Sequence, residues 1–240
     1  MATFVCVHGA FQGGWVWKRT AEALFPMGHR AYAPTLSGCG FHRHTMDKGL
    51  GLEAYVRDLT QFFEMEDLAD VYLVAHSYSG IVGAGAMAAI MGRLSGTIYV
   101  EGIIPQPGKS FAGVGGEPFQ AMLQSKLTDG WLVSPWEAGM FGVAGAPDEA
   151  WFMARVAPFP MAAFTDAAVG ELVFPVKRHY VRCAKNPNPM FVAMADRAKF
   201  LGFAMHSIDS GHCPQITVPV ELARVLATIV DKKNGEAKAQ

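Results

Sequence analysis

Short runs of apolar, often β-branched residues alternate along this chain with longer stretches whose apolar positions recur at helical spacing. Residues 3–7 (TFVCV) read as a strand that starts almost at the first residue. Residues 15–25 follow with Trp17, Ala21 and Leu24 on one helical face, and Pro26 with Gly28 closes them. A short strand at 30–33 runs into a loop at 34–51, and residues 53–64 form an amphipathic helix with Tyr55, Leu59, Phe62 and Phe63 inward and Arg57, Asp58 and Gln61 outward. The pattern repeats as strand 71–75, small-residue helix 81–91 and strand 96–100, then again as strand 178–184, helix 190–201, strand 203–208 and helix 218–230. Strands that alternate with helices pair in parallel through right-handed crossovers. The fold class expected is therefore α/β, a doubly wound, mostly parallel sheet of about six strands.

Between residues 105 and 174 the alternation stops. This stretch carries Trp131, Trp136 and Trp151, many Phe, Met, Pro and Gly residues, and only short helix-like pieces at 118–128 and 148–156. It is too long for a connector inside one α/β domain. A largely helical cap inserted at 105–175 is expected, with the core in two parts, 1–104 and 176–231, and a polar, frayed tail at 232–240. Aromatic and Met-rich surfaces adapt to apolar ligands, so Phe11, Trp131, Trp136 and Phe141 are candidates for the wall of a substrate pocket.

Composition narrows the classes. A chain of 240 residues with 51% apolar content suits one large domain with a sizeable core. A net charge of -1 without any block of like charges gives no footprint for nucleic acid or an anionic membrane. The first residues have no basic region, and no apolar run reaches the roughly eighteen residues of a membrane span, so a cytoplasmic, soluble protein is expected. Cys6, Cys39, Cys183 and Cys213 lack C-x-x-C spacing and read as buried small hydrophobes. Cys39, His42 and His44 share a loop, but no fourth ligand stands at a convincing spacing, and no metal is expected. Neither G-x-x-x-x-G-K-[ST] nor G-x-G-x-x-G occurs after the first strand, so no nucleotide or flavin cofactor is expected either.

The candidate chemistry starts at VYLVAHSYSG, residues 71–80, where a buried strand passes straight into a helix and Ser77 occupies the turn. Such a turn exposes a serine hydroxyl and aims the first helical N–H groups beside it. The usual elbow is G-x-S-x-G; here its glycine positions are Ala75 and Ser79, with Gly80 one residue later, so a plain helix-capping serine is the competing reading. In a parallel doubly wound sheet the loops after the strands share one edge, which brings His8 to Phe11, Ser77, Glu101 and His212 together. Serine, acid and histidine then occur in the order expected of a hydrolase built on such a sheet.

With VHGAFQGGWVW near the start, VAHSYSG at the elbow, YVEGIIP after the next strand and DSGHCPQITVP near the end, the chain resembles the α/β-hydrolases grouped with the plant methyl-ester esterases, hydroxynitrile lyases and small bacterial esterase-like proteins. The resemblance covers nearly the whole chain and is loosest in the cap. It implies Ser77 as nucleophile, His212 as general base, and the backbone N–H groups of Ala10 and Tyr78 as oxyanion hole. The plant enzymes place an aspartate after the penultimate strand, where this chain has Asn186; the bacterial pattern puts an acid after the strand that follows the elbow helix, which implies Glu101 as the acid, with Asp209 as its rival. The implied function is a cofactor-free serine carboxylesterase that acts on a small apolar ester through an acyl-enzyme. Amides, lactones and carbamates pass through similar intermediates. Lyases of the group have threonine and lysine at the positions of Gly9 and Cys213, and a non-catalytic binding protein is the third reading. The expected partner is a small-molecule substrate, and a homodimer is left open.

Overall fold

The computed structural model describes residues 1–168 and 176–236, with side chains placed through Asp231. The core sheet consists of β1 (Thr3–Val7), β2 (Arg30–Tyr32), β3 (Val71–His76), β4 (Leu94–Val100), β8 (Lys177–Cys183) and β9 (Ala204–Ile208), in the order β2-β1-β3-β4-β8-β9. Every neighbouring pair is parallel. All six residues of β3 are buried, as a central strand covered on both faces requires. The order reverses direction after β2, so the carboxyl ends of β1 and β3 flank a switch point of the kind where ligands collect.

The flanking helices are α1 (Lys18–Leu24), α2 (Leu52–Met65), α3 (Ser79–Ile90), α7 (Pro189–Phe200), α8 (Pro214–Thr217) and α9 (Pro219–Glu236). Helix α3 is buried along most of its length and is built from Gly, Ala and other apolar residues. Its small side chains let α2 come close: a Cβ on Gly85 would stand 2.6 Å from Cγ2 of Val56. The elbow helix is therefore held on both sides, by the sheet and by α2.

The inserted region contains α4 (Phe111–Ser125), β5 (Leu127–Thr128), β6 (Leu132–Val133), α5 (Glu149–Met153), β7 (Phe159–Pro160) and α6 (Met161–Thr165). The bounds of both expected helical pieces change here, and a small sheet is added. Helix α4 starts before residue 118 and breaks at Gly116, whose φ of 75° lies outside the helical range. Beside its helices the region also holds a three-stranded antiparallel sheet of β5, β6 and β7, from two-residue strands too short to leave a pattern. The piece expected at 148–156 is the shorter α5. The last seven residues of the expected cap, 169–175, lie outside the described residues.

The cap is tied to the core at separated points. Arg19 of α1 makes a two-pronged ion pair with Asp148 and stacks over Trp151 at 5.2 Å. The Ala157 N–H donates to the Phe11 carbonyl at 3.0 Å, and the Leu52 N–H donates to Asp166 at 2.9 Å. At the far end of the chain, α9 continues to Glu236, so the helix passes the point where a frayed tail was expected; residues 237–240 lie outside the described residues.

Gly80 is the glycine the elbow requires. A Cβ there would lie 2.4 Å from the backbone oxygen of Ile103 and 2.8 Å from its nitrogen. Gly80→Ala is expected to lower stability by roughly 1–3 kcal/mol, as overpacking against fixed backbone does. Urea unfolding followed by tryptophan fluorescence checks this, and a midpoint equal to wild type contradicts it.

Candidate active site

Ser77 leaves β3 with a φ of 54°, a conformation disfavoured for a residue with a Cβ. Its surroundings over-determine that turn. The Ser77 N–H donates to the Val100 carbonyl at 3.3 Å, and the Ile103 N–H donates to the Ser77 carbonyl at 2.9 Å. Ser79, at a position where the elbow pattern has glycine, is buried and sets its hydroxyl 2.9 Å from the Val7 carbonyl and 2.8 Å from the His76 carbonyl. The departure from G-x-S-x-G thus adds a clasp between β1 and the turn.

His212 follows β9 and sits with Nε2 3.0 Å from Ser77 Oγ and Nδ1 3.1 Å from Glu101 Oε2. The sequence order of serine, acid and histidine has become one chain of hydrogen bonds, with all three side chains buried. Because Nδ1 faces a carboxylate, its proton belongs there, which leaves the Nε2 lone pair to accept from the serine hydroxyl. The imidazole ring lies between Phe191, with centroids 4.3 Å apart, and His76, at 4.8 Å.

Glu101 follows β4 at a φ of 45° and is fully buried. Burial alone raises its carboxyl, but the hydrogen bonds from His212 and Asn186 and the charges of His212 and Arg182 outweigh it, and its titration falls below the ordinary value. Arg182 on β8 pairs with Oε1, which also accepts from the Cys183 N–H at 3.0 Å, while Asn186 donates to Oε2. Asn186, read in the sequence as the place of a missing acid, supports with its amide the carboxylate that follows another strand. Asp209 points away from the site, exposed and paired with Lys185 at 2.8 Å. Arg182, Asn186 in this supporting part, His76 and Gln215 were not singled out in the sequence, and His8 was placed at this edge without its part in orienting the loop. A charge inside the apolar run YVRC was the signal available for Arg182.

The loop after β1 comes against the serine so closely that a Cβ on Gly9 would lie 3.0 Å from Ser77 Cβ. The buried His8 ring orients this loop: Nε2 accepts from the Leu36 N–H at 3.2 Å, so Nδ1 carries the proton and donates to the Gly9 carbonyl at 2.9 Å. In a trans peptide that pins the Gly9 carbonyl on one side, the Ala10 N–H is directed to the other. Among the described residues, neither the Ala10 nor the Tyr78 N–H donates to a recorded hydrogen bond, in keeping with Tyr78 standing just before α3.

Phe11, at a φ of 68°, carries the cap's aromatic cluster onto this loop. Its ring stands 4.8 Å from Trp136 and 6.1 Å from Phe141, and Phe164 joins the group at 5.8 Å. Trp131 does not take part: it is half-buried in the β5–β6 turn, and among the described residues its ring meets no ring of the cluster. A family model described as "Alpha/beta hydrolase family" matches residues 4–225. The chain belongs to this family. As an α/β hydrolase, it is 29% identical to "Carbendazim hydrolyzing esterase" of Nocardioides sp. (strain SG-4G) over 95% of this chain and 100% of that protein. It is 24% identical to "Methylesterase 7" of Arabidopsis thaliana, over 95% and 96% of the two chains. Among solved structures, an extracellular α/β-hydrolase from a Paenibacillus species superposes with a TM-score of 0.85 at 17% identity, covering 95% of this chain and 98% of that one.

Burial holds two histidines of this α/β hydrolase neutral: His8 is pushed down to about 4 and His76 well below its ordinary value. An unfolded chain protonates both near 6.5, so it binds more protons than the folded one at lower pH. Stability should therefore be intact above that value and fall as pH drops from about 6.5 to 4, by up to ~1.4 kcal/mol per pH unit per histidine. Urea midpoints measured at several pH values test the sign, and a midpoint that holds or rises on acidification contradicts it.

Proposed function

We propose that this α/β hydrolase is a carboxylesterase that forms an acyl-enzyme on Ser77. The observation that carries the reading is the unbroken run of hydrogen bonds from Ser77 Oγ through His212 to Glu101, at 3.0 and 3.1 Å. Ser77 Oγ attacks the ester carbonyl while His212 Nε2 takes its proton. The oxyanion that appears is met by the N–H groups of Ala10 and Tyr78, whose charge stabilisation exists only in the tetrahedral state. As the C–O bond to the leaving group breaks, the imidazolium returns the proton to that oxygen. Water then repeats the sequence on the acyl-serine, with His212 again as base, and releases the acid and free Ser77.

Glu101 stays ionised through the cycle, fixes the His212 tautomer and stabilises the imidazolium. Its depressed titration is the property that this part needs. The substrate class is a small, mostly apolar ester, supported by the names of the relatives, an esterase and a methylesterase, and by the buried aromatic cluster of Phe11, Trp136 and Phe141 that packs on the loop after β1. A binding-only protein has less support, because the altered elbow residue Ser79 is a hydrogen-bonded part of the turn and the acid absent at Asn186 has a substitute in Glu101.

Treatment with a fluorophosphonate is expected to leave one adduct, on Ser77, by peptide mass spectrometry, and none in Ser77→Ala. A folded protein that takes no adduct contradicts the reading. With an activated ester, Glu101→Gln is expected to lose about 10²–10⁴ in kcat, the cost of losing the charge behind the histidine. Asp209→Asn should stay near wild type, and the opposite result moves the acid to Asp209. Trp136→Ala, which opens the aromatic cluster packed on Phe11, should change KM for long apolar acyl chains more than for acetyl; equal effects on both contradict a part for this cluster in holding the acyl chain.

A further inference from the structure

His76 immediately precedes the nucleophile, is fully buried, and takes no part in the proton path. Strand alternation turns its ring away from the Ser77 side chain and toward the loop that carries the base. Its Nε2 lies 2.8 Å from the backbone carbonyl of His212, and its Nδ1 lies 3.2 Å from Nε2 of Gln215. A carbonyl can only accept, so His76 Nε2 bears the proton. Burial, with His212 close by, keeps the ring neutral, so Nδ1 is an acceptor and Gln215 must present its NH₂ group. Trp17 meets the same ring edge-on at 6.3 Å. Gln215 opens the first turn of α8 and is itself fully buried, so the arrangement is fixed from both ends.

We propose that His76, held by Gln215, is a positioning residue that fixes the His212 backbone and so aims its imidazole at Ser77. The inference rests on the esterase reading above. His212 lies 136 residues from His76 in the chain, on a loop between β9 and α8, whereas Ser77 is the next residue in sequence. One hydrogen bond thus makes the nucleophile's own strand hold the base. The cap bears on the same loop, since a Cβ on Gly142 would lie 2.4 Å from the His212 nitrogen. The His212 backbone is thereby gripped between the strand end and the cap, and its ring between His76 and Phe191. Displacement of a reacting group by about 1 Å costs about 10²-fold in rate, so this grip acts on turnover and not on substrate affinity.

The test uses the full chain, with para-nitrophenyl butyrate as probe, and circular dichroism establishes that each variant is folded. His76→Phe keeps a ring and removes the donor. It is expected to lower kcat about 10–100-fold with KM within about twofold, and to slow fluorophosphonate labelling of Ser77 in parallel. His76→Gln restores an N–H within reach of the carbonyl and should recover most of the loss, while Gln215→Leu should show a smaller loss of the same kind. A kcat for folded His76→Phe within about twofold of wild type overturns the proposal, as does a His76→Gln no better than His76→Phe, which would make the ring's packing responsible. If wild type neither labels nor hydrolyses, the esterase reading fails. The hydrogen bond remains separately testable by ¹⁵N spectroscopy of the His76 ring: an Nε2–H tautomer at neutral pH supports it and an Nδ1–H tautomer overturns it.

Discussion

A carboxylate with no exposed surface, at the end of a central strand, is the constraint around which this structure is arranged. Glu101 must be met by donors or be neutral, because an unpaired buried charge is among the most expensive things a protein can hold. Four donors meet it: the Arg182 guanidinium, the Cys183 N–H, the Asn186 amide and the His212 ring. They come from β8, from the loop after it and from the loop after β9. One charge thereby sews the second half of the core to the first, across the point where the cap is inserted. Removing one partner of such a buried pair costs about 3–5 kcal/mol, so the same carboxylate that holds the His212 ring also fixes how the two halves meet.

Of the six non-glycine residues with positive φ among the described residues, three fall around that charge. Phe11, Ser77 and Glu101 all have φ between 45° and 68°, and each stands in the loop or turn after a different strand on the same edge of the sheet. Each is held from outside itself: Phe11 by Ala157 and the aromatic cluster, Ser77 by Val100 and Ile103, Glu101 by its four donors. Backbone strain of this kind persists only where surrounding contacts over-determine it, and here it points a peptide N–H, a hydroxyl and a carboxylate inward. The supporting histidines His8 and His76 serve the same end without charge. Both are neutral rings whose N–H groups hold main-chain carbonyls in place.

Much of this was legible in the residues. The alternation of short apolar strands with amphipathic helices was enough for the six-stranded parallel sheet, and Ser77, Glu101 and His212 stood out because each follows a strand. What was not legible depends on contacts between distant segments. Two-residue strands such as β5 and β6 have no periodicity to read, so the small sheet of the cap was missed, and with it the location of Trp131. Asn186 looked like a lost acid because nothing local tells that its amide will face Glu101, 85 residues away. Ser79 looked like a damaged elbow because its partner carbonyl on Val7 lies 72 residues earlier. His76 and Gln215 drew no reading at all, since their pairing joins residues 139 positions apart.

The claim that joins all of these features is that Ser77 Oγ faces a His212 held by Glu101, while the N–H groups of Ala10 and Tyr78 receive the oxygen of the carbonyl that Ser77 attacks. A crystal structure of the fluorophosphonate-inhibited protein measures this most directly. The account predicts phosphorus bonded to Ser77 Oγ, the phosphoryl oxygen within hydrogen-bond distance of both N–H groups, and His212 still bonded through Nδ1 to Glu101. A phosphoryl oxygen turned away from Ala10 and Tyr78, or a His212 that has left Glu101 for another carboxylate, would contradict it.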